Sequence, residues 1–281
     1  MELMRLLAGT VALRPYVFVF LAVYLVLAVP AWGWRRSAAY GVLGYALAWA
    51  AEYSSIHTGF PFGPYTYISA PTLEKELWVA GVPFMDSLSF VFLTFAGLQT
   101  ARLALEPLAV RGAWDVRWAA PGAPVRWGTW LLAGLLTMGL DVVTDPAALR
   151  GERWFLGQIY FYPHKGLYWG VPLANFAGWA LLSWTITGAF LVLDGRVLRG
   201  KWGAWRSYPA DALWGAGLFA GVLGFNLVVT FGIGEVALGL MGCAWAGAML
   251  APIVARVRRA RALAPAAQVR APARDGQAPA D

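Results

Sequence analysis

The chain of 281 residues is 59% hydrophobic and only 13% charged, with a mean hydropathy of +0.58. Soluble domains carry charge on about a quarter of their residues, so this composition excludes an ordinary soluble domain and indicates an integral membrane protein. The net charge of +7 requires no nucleic-acid partner, because anchoring to anionic lipid accounts for it.

Spanning helices need about 20 mostly apolar residues. In chain order, such runs lie at 15–34, 37–54, 81–103, 125–144, 168–193, 211–231 and 235–254. The first resembles a signal peptide in position, but its apolar run is long and leads straight into Trp34 and two arginines, so it counts as a true helix. Only Gly232 to Gly234 separate the last two spans, which forces a tight antiparallel hairpin. The expected fold is an all-α polytopic membrane helix bundle of about seven transmembrane helices. Residues 1–255 form its single domain, followed by a disordered basic tail, 256–281, rich in Ala, Pro and Arg. With these spans, six Lys and Arg fall on the N-terminal side of the membrane and sixteen on the other, which puts the N-terminus outside and the C-terminus in the cytoplasm of a cell-membrane protein.

Sixteen tryptophans and an aromatic share of 15% exceed what an interfacial belt needs, so some rings line an interior cavity. Glycines at Gly128-x5-Gly134, Gly215-Ala-Gly217 and Gly239-x2-Gly242 read as close helix packing rather than cofactor loops. The lone Cys243 reads as a core residue. Nucleotide-loop and serine-hydrolase signatures are absent, and no organic cofactor is expected. No internal repeat of the inverted-repeat transporter kind is visible.

The rare polar residues of the spans fall near one face. Glu52 closes the second span, Asp86 lies one turn into the third, Asp141 and Asp145 close the fourth, and Asn175 sits two turns into the fifth. An ionisable group inside a membrane costs roughly 2.5 to 3.5 kcal/mol on insertion scales, so several at one depth point to function. Asp141 and Asp145 are i and i+4 on one helical face, and Pro146 is expected to end the helix there. Two carboxylates stacked in a dry site should not both ionise easily, which leaves one as a candidate general acid. Two of these polar residues have a plainer alternative, Asp145 as a helix-end residue in interfacial water and Asn175 as a bond to a neighbouring helix, whereas Glu52 and Asp86 are harder to account for in that way. His57 and His164 lie on loops of the same face. Without a Cys cluster or HExxH-type spacing no metal site is expected, and a proton relay or structural hydrogen bond suits them better.

Several ordered motifs are now in view. They are Glu52-x6-Gly59-Phe-Pro-Phe-Gly-Pro-Tyr-Thr-Tyr67, Gly81-Val-Pro83, Asp141-Val-Val-Thr-Asp-Pro146 with Gly151 and Trp154, Tyr168-Trp-Gly-Val-Pro172, and Asn175-Phe-x-Gly-Trp179. Over about residues 37 to 245 this set resembles the membrane carotenoid hydratases, the family of bisanhydrobacterioruberin hydratase and of the enzymes acting on γ-carotene-type and lycopene-type ends, whose members are often labelled only as carotenoid biosynthesis proteins. The resemblance implies addition of water across the terminal C-1′,2′ double bond of an acyclic ψ end group, without redox change or cofactor. The partners it implies are an acyclic or monocyclic carotenoid and membrane lipid.

The residues suit that chemistry. Protonating a trisubstituted alkene needs a neutral carboxylic acid in an apolar site, and the resulting tertiary cation is stabilised by about 0.5 to 2 kcal/mol per desolvated aromatic face. Asp141 is the expected proton donor beside Asp145, with Glu52 or Asp86 positioning or deprotonating the water. Phe60, Phe62, Tyr65, Tyr67, Trp154, Tyr168 and Trp169 are the expected rings around the substrate, with His57 and Asn175 beside them. The glycines and prolines of 59–64 bend the chain so that the four rings from Phe60 to Tyr67 fold back as a lid over the acids. Two other classes fit part of the pattern. A membrane carotenoid end-group cyclase would share the protonation step but exclude water, and a carotenoid-binding or transport protein would keep the rings without the chemistry.

Overall fold

The computed structural model describes residues 1–69 and 72–264. It is an all-α bundle. After a first helix α1 (Glu2–Leu13) come α2 (Pro15–Trp32), α3 (Trp34–Thr58), α4 (Phe84–Leu105), α5 (Trp127–Ala148) and α6 (Leu173–Leu193). A π-helical turn at Asp194–Leu198 leads into the short α7 (Arg199–Trp202), and α8 (Asp211–Gly232) and α9 (Val236–Leu263) complete the chain. Six of these helices are long and apolar enough to cross a membrane. The seventh expected span, α3, has the length but carries Arg35, Arg36, Glu52 and His57, which lower its hydropathy.

The helix α4 runs through the middle of the bundle, with α2, α3, α5, α6 and α8 packed around it. Its sequence is apolar on all sides, and every residue from Phe90 to Leu103 is buried, as a helix without a polar face requires. The outer helices turn Val19, Val26, Leu181, Val228 and Leu240 outward, an apolar surface suited to lipid. Small residues let backbones approach. A Cβ on Gly97 would strike Thr137 and lie 3.0 Å from Ala133 O, so α4 and α5 meet there without a side chain between them. Of the glycines expected to pack closely, Gly134, Gly215, Gly239 and Gly242 meet a neighbour, whereas Gly128 and Gly217 border open space.

Several boundaries differ from expectation. Pro146 does not end its helix: α5 continues to Ala148. The fifth span starts at Leu173 rather than Tyr168, because Trp169 (φ +55) and Gly170 (φ +96) turn the preceding backbone into a small bridged loop that Pro172 closes. Arg256 to Leu263, expected in the disordered tail, continue α9. Ile253 and Val257 pack into a cluster with Leu103 and Trp118, and the Arg256 guanidinium donates to Leu103 O and Glu106 O. The rest of that tail, 265–281, lies outside the described residues.

Among the described residues three two-stranded ribbons serve the loops: β1 (Thr66–Tyr67) with β6 (Tyr160–Phe161), β2 (Trp78–Val79) with β3 (Val82–Pro83), and β4 (Leu108–Val110) with β5 (Val116–Trp118). Ala80 (φ +50) and Gly81 (φ +82) form the two-residue turn of the second ribbon, which delivers the chain into α4. At the end of the bundle that holds the N-terminus of α3, Arg36 is fully buried. Its Nε donates to Asp194 Oδ1 at 2.5 Å, and its other nitrogens donate to the carbonyls of Trp32, Trp202 and Gly203.

Removing Arg36 leaves the buried Asp194 with only the more distant, partly exposed Arg199, at 3.5 Å, to balance its charge. Arg36→Met is therefore expected to lower stability by about 3 to 5 kcal/mol. Adding Asp194→Asn should recover part of that loss, and unfolding of the detergent-solubilised single and double variants checks both.

Candidate active site

The chain alternates direction, so one end of the bundle gathers the N-terminal turns of α2, α4 and α6 with the C-terminal turns of α3, α5 and α8. There a cavity with about 200 Å³ of free space opens between the helices. Loop residues 59–69 and 149–172 close over it, joined by the pairing of Thr66 with Phe161 and of Tyr67 with Tyr160.

Two polar groups of residues line its walls. In the first, Asp141 and Asp145 project from the same face of α5, and the Asn175 amide on α6 reaches both. Its Nδ2 donates to Asp141 Oδ2 at 2.6 Å and to Asp145 Oδ2 at 3.0 Å. The Tyr162 hydroxyl, from the second loop, donates to Asp145 Oδ2 at 2.8 Å. Burial pushes the Tyr162 hydroxyl well above its ordinary pKa, and the nearby aspartates push it the same way, so it keeps its proton and stays a donor. Both aspartates and Asn175 are buried. Among the described residues no Lys or Arg forms a salt bridge with either aspartate.

The second group has a cation at its centre. Arg14, buried where α1 meets α2, donates from Nη1 to Asp86 Oδ1 at 2.7 Å and from Nη2 to Glu76 Oε1 at 2.9 Å. Glu52 stands apart from that ion pair and accepts a hydrogen bond from Ser87 Oγ at 2.8 Å. The Tyr67 hydroxyl lies within reach of Glu52 and Asp86, and burial, reinforced by Glu52, holds it protonated.

Rings fill the space between. Phe62, Tyr65, Tyr67, Tyr160 and Tyr162 come from the two loops, with Trp154, Phe90 and Trp179 beside them. Tyr65 meets Tyr67 edge-on with centroids 5.2 Å apart, and Phe90 packs on Trp179 at 4.4 Å. Deeper in, Phe20, Phe92, Leu93, Val222 and Phe225 make the wall apolar. Among the described residues no group of three or more His, Cys, Asp and Glu side chains is arranged to hold a metal ion. The arrangement can present acids, hydroxyls and aromatic faces to an apolar molecule whose end reaches the polar walls.

A family profile described as carotenoid biosynthesis protein matches residues 9–250. The chain belongs to the carotenoid biosynthesis protein family. Comparison with curated proteins and with solved structures gave no match. The family makes the protein a component of carotenoid synthesis and its substrate a carotenoid.

Of the expected site residues, Glu52, Asp86, Asp141, Asp145, Asn175, Phe62, Tyr65, Tyr67 and Trp154 line the cavity of this carotenoid biosynthesis protein. Four others do not. His57 is exposed, stacks on Tyr53 and bonds its own helix through Nδ1 to Tyr53 O. Phe60 is 65% exposed on the outer side of the lid, Tyr168 packs against Phe176, and Trp169 lies under Arg150 at the rim. Sequence reasoning missed Arg14, Glu76, Tyr162 and Asn226. An arginine in the last turn before a span and a glutamate in a loop look like interfacial residues, and nothing local marks a pairing between them.

Phe62 rests on α6 because residue 178 is glycine. A Cβ there would stand 2.6 Å from Phe62 Cδ1 and 2.8 Å from Pro61 O. Gly178→Val is expected to displace Phe62 and to cost about 1 to 3 kcal/mol of stability through overpacking. Unfolding in detergent checks this, and an unchanged midpoint would mean that the lid does not rest on α6.

Proposed function

We propose that this protein is a cofactor-independent carotenoid hydratase, adding water across the terminal double bond of an acyclic ψ end group. The observation that carries the reading is the Asp141–Asp145 pair, gathered by Asn175 with no cationic partner among the described residues and opening into a cavity of aromatic rings. Protonating an unactivated alkene calls for a carboxylic acid out of bulk water, and the cation it creates calls for π faces and an acceptor of the water's proton.

Asp145 Oδ2 accepts two hydrogen bonds and Asp141 Oδ2 one. We therefore assign the transferred proton to Asp141. It adds to C-2 of the substrate, the electron pair of the double bond forming the new C–H bond and leaving a tertiary cation at C-1. A water oxygen then bonds to C-1 and loses a proton. Asp86 is engaged by Arg14, so the carboxylate assigned to receive that proton is Glu52, and its return to Asp141 closes the cycle. With less free space than a drug-sized ligand needs, the cavity admits the end of a polyene rather than all of it. The long remainder lies in lipid, whose thickness the rod-like pigment matches. The hydroxyls and amides on the walls favour water capture over cyclisation, which needs water kept out. The proposed placement is in the cell membrane with the site on the outer side, as the distribution of Lys and Arg suggests.

Incubating the purified protein with lycopene in liposomes and measuring product mass tests the reading. A gain of one water per converted end is expected, whereas an isomer of unchanged mass would mark a cyclase and unaltered lycopene a binding protein. Asp141→Asn is expected to lower hydration by about a hundred- to ten-thousand-fold, the range for loss of a general acid. Full activity in that variant would exclude Asp141 as the donor.

A further inference from the structure

A second amide lines the same cavity and has no part in holding the aspartates. Asn226 lies on α8, is 6% exposed, and stands among Val222, Phe225, Phe92 and Leu93, on a wall otherwise apolar. Its Nδ2 donates to Val222 O of its own helix at 2.9 Å. The orientation of this amide is chemically fixed, since the Val222 carbonyl can only accept. The side-chain oxygen is thereby left as an acceptor with no protein donor among the described residues.

An acceptor that faces a cavity and has no protein donor is a place where a ligand or water can supply the missing hydrogen. Asn175 differs in that its amide nitrogen holds both aspartates, so it is already tied to the proton donor and its neighbour. Asn226 sits six residues before the end of α8 and Asp141 seven before the end of α5, two helices that run the same way, so the two lie near the same depth of the bundle.

We infer that Asn226 is the positioning residue for the attacking water, which donates one hydrogen bond to its side-chain oxygen and the other to the carboxylate that takes the proton. This rests on the hydratase reading and deepens it. With both O–H bonds engaged, the water presents a lone pair to the cation at C-1. The new C–O bond forms from that pair as the second hydrogen bond becomes the proton transfer. Asn226 therefore acts after protonation of the alkene, not during it.

That order gives a readout that a structural amide would not move. In D2O the donor acid carries deuterium, and a cation that is not captured by water returns a proton and keeps deuterium in a C–D bond. Lycopene incubated in D2O liposomes with wild type, Asn226→Leu, Asn226→Val and Asn226→Ser is analysed by mass spectrometry for hydrated product and for deuterium in unhydrated pigment. In the Leu and Val variants hydration is expected to fall at least tenfold while deuterium incorporation stays within about twofold of wild type, and Ser, which restores an acceptor, should regain hydration. Undiminished hydration in the apolar variants, a parallel loss of hydration and exchange, or failure of both apolar variants to accumulate in the membrane each overturns the assignment. A wild-type protein that neither hydrates lycopene nor introduces deuterium fails the hydratase reading itself, and the role of Asn226 falls with it.

Discussion

A polar group inside an apolar slab finds no water to bond, so it must be partnered by the protein or border a cavity. That constraint sorts the polar side chains of this chain. Arg36 and Asp194 satisfy each other at one end of the bundle, and Arg14 is enclosed by Glu76 and Asp86 at the other. Glu52, Asp141 and Asp145 form no salt bridge among the described residues, and with Asn226 they border the cavity at the end where the loops fold over. The same constraint explains why the middle helix is so apolar. Packed on all sides, α4 holds its charged groups near its ends: Asp86, with Ser87, in its first turn beside the cavity, and Arg102 in its last, between the rings of Trp118 and Trp205.

The site combines demands that normally conflict. In the proposed hydration an acid must stay out of bulk water while a water molecule reaches the carbon beside it. The geometry separates these tasks by wall: the paired aspartates on α5, the ion pair and Glu52 around α3 and α4, the rings on the loops. Asn175 and Tyr162 hold the α5 pair from two other elements, so the orientation of its carboxylates depends on α6 and on the second loop as much as on their own helix. In the proposed reaction such preorganisation matters more than any single contact, because the cation is short-lived and must meet its stabilising groups already in place.

Much of this was legible in the sequence. Runs of apolar residues located the long helices, since length and hydropathy are what a membrane demands of them. The carboxylates and Asn175 were legible for the same reason: they are exceptions within such runs. The short helix α1 escaped because its 12 residues, with Glu2 and Arg5, are too few and too polar to read as a span. His57 was misplaced by helical rotation. As α3 continues to Thr58, five residues beyond Glu52 amount to about 140° around the axis, which carries the imidazole away from the acids. Phe60 and Phe62 fall on opposite sides of the lid, and only the backbone path decides which faces inward. Tyr162 and Glu76 carry no local signal. Their roles come from contacts between segments far apart in the chain, the level at which one sequence says least.

The ribbon that joins β1 to β6 ties together loops from different halves of the protein. Because two peptide segments share one hydrogen-bonded ladder, neither can hinge away alone without breaking it. Tyr65 and Tyr67 are thereby held beside Tyr160 and Tyr162, their rings meeting edge-on. The same coupling makes the loops one unit of inheritance. A graft that exchanges residues 59–83 for those of a relative with different end-group preference must bring 149–172 with it.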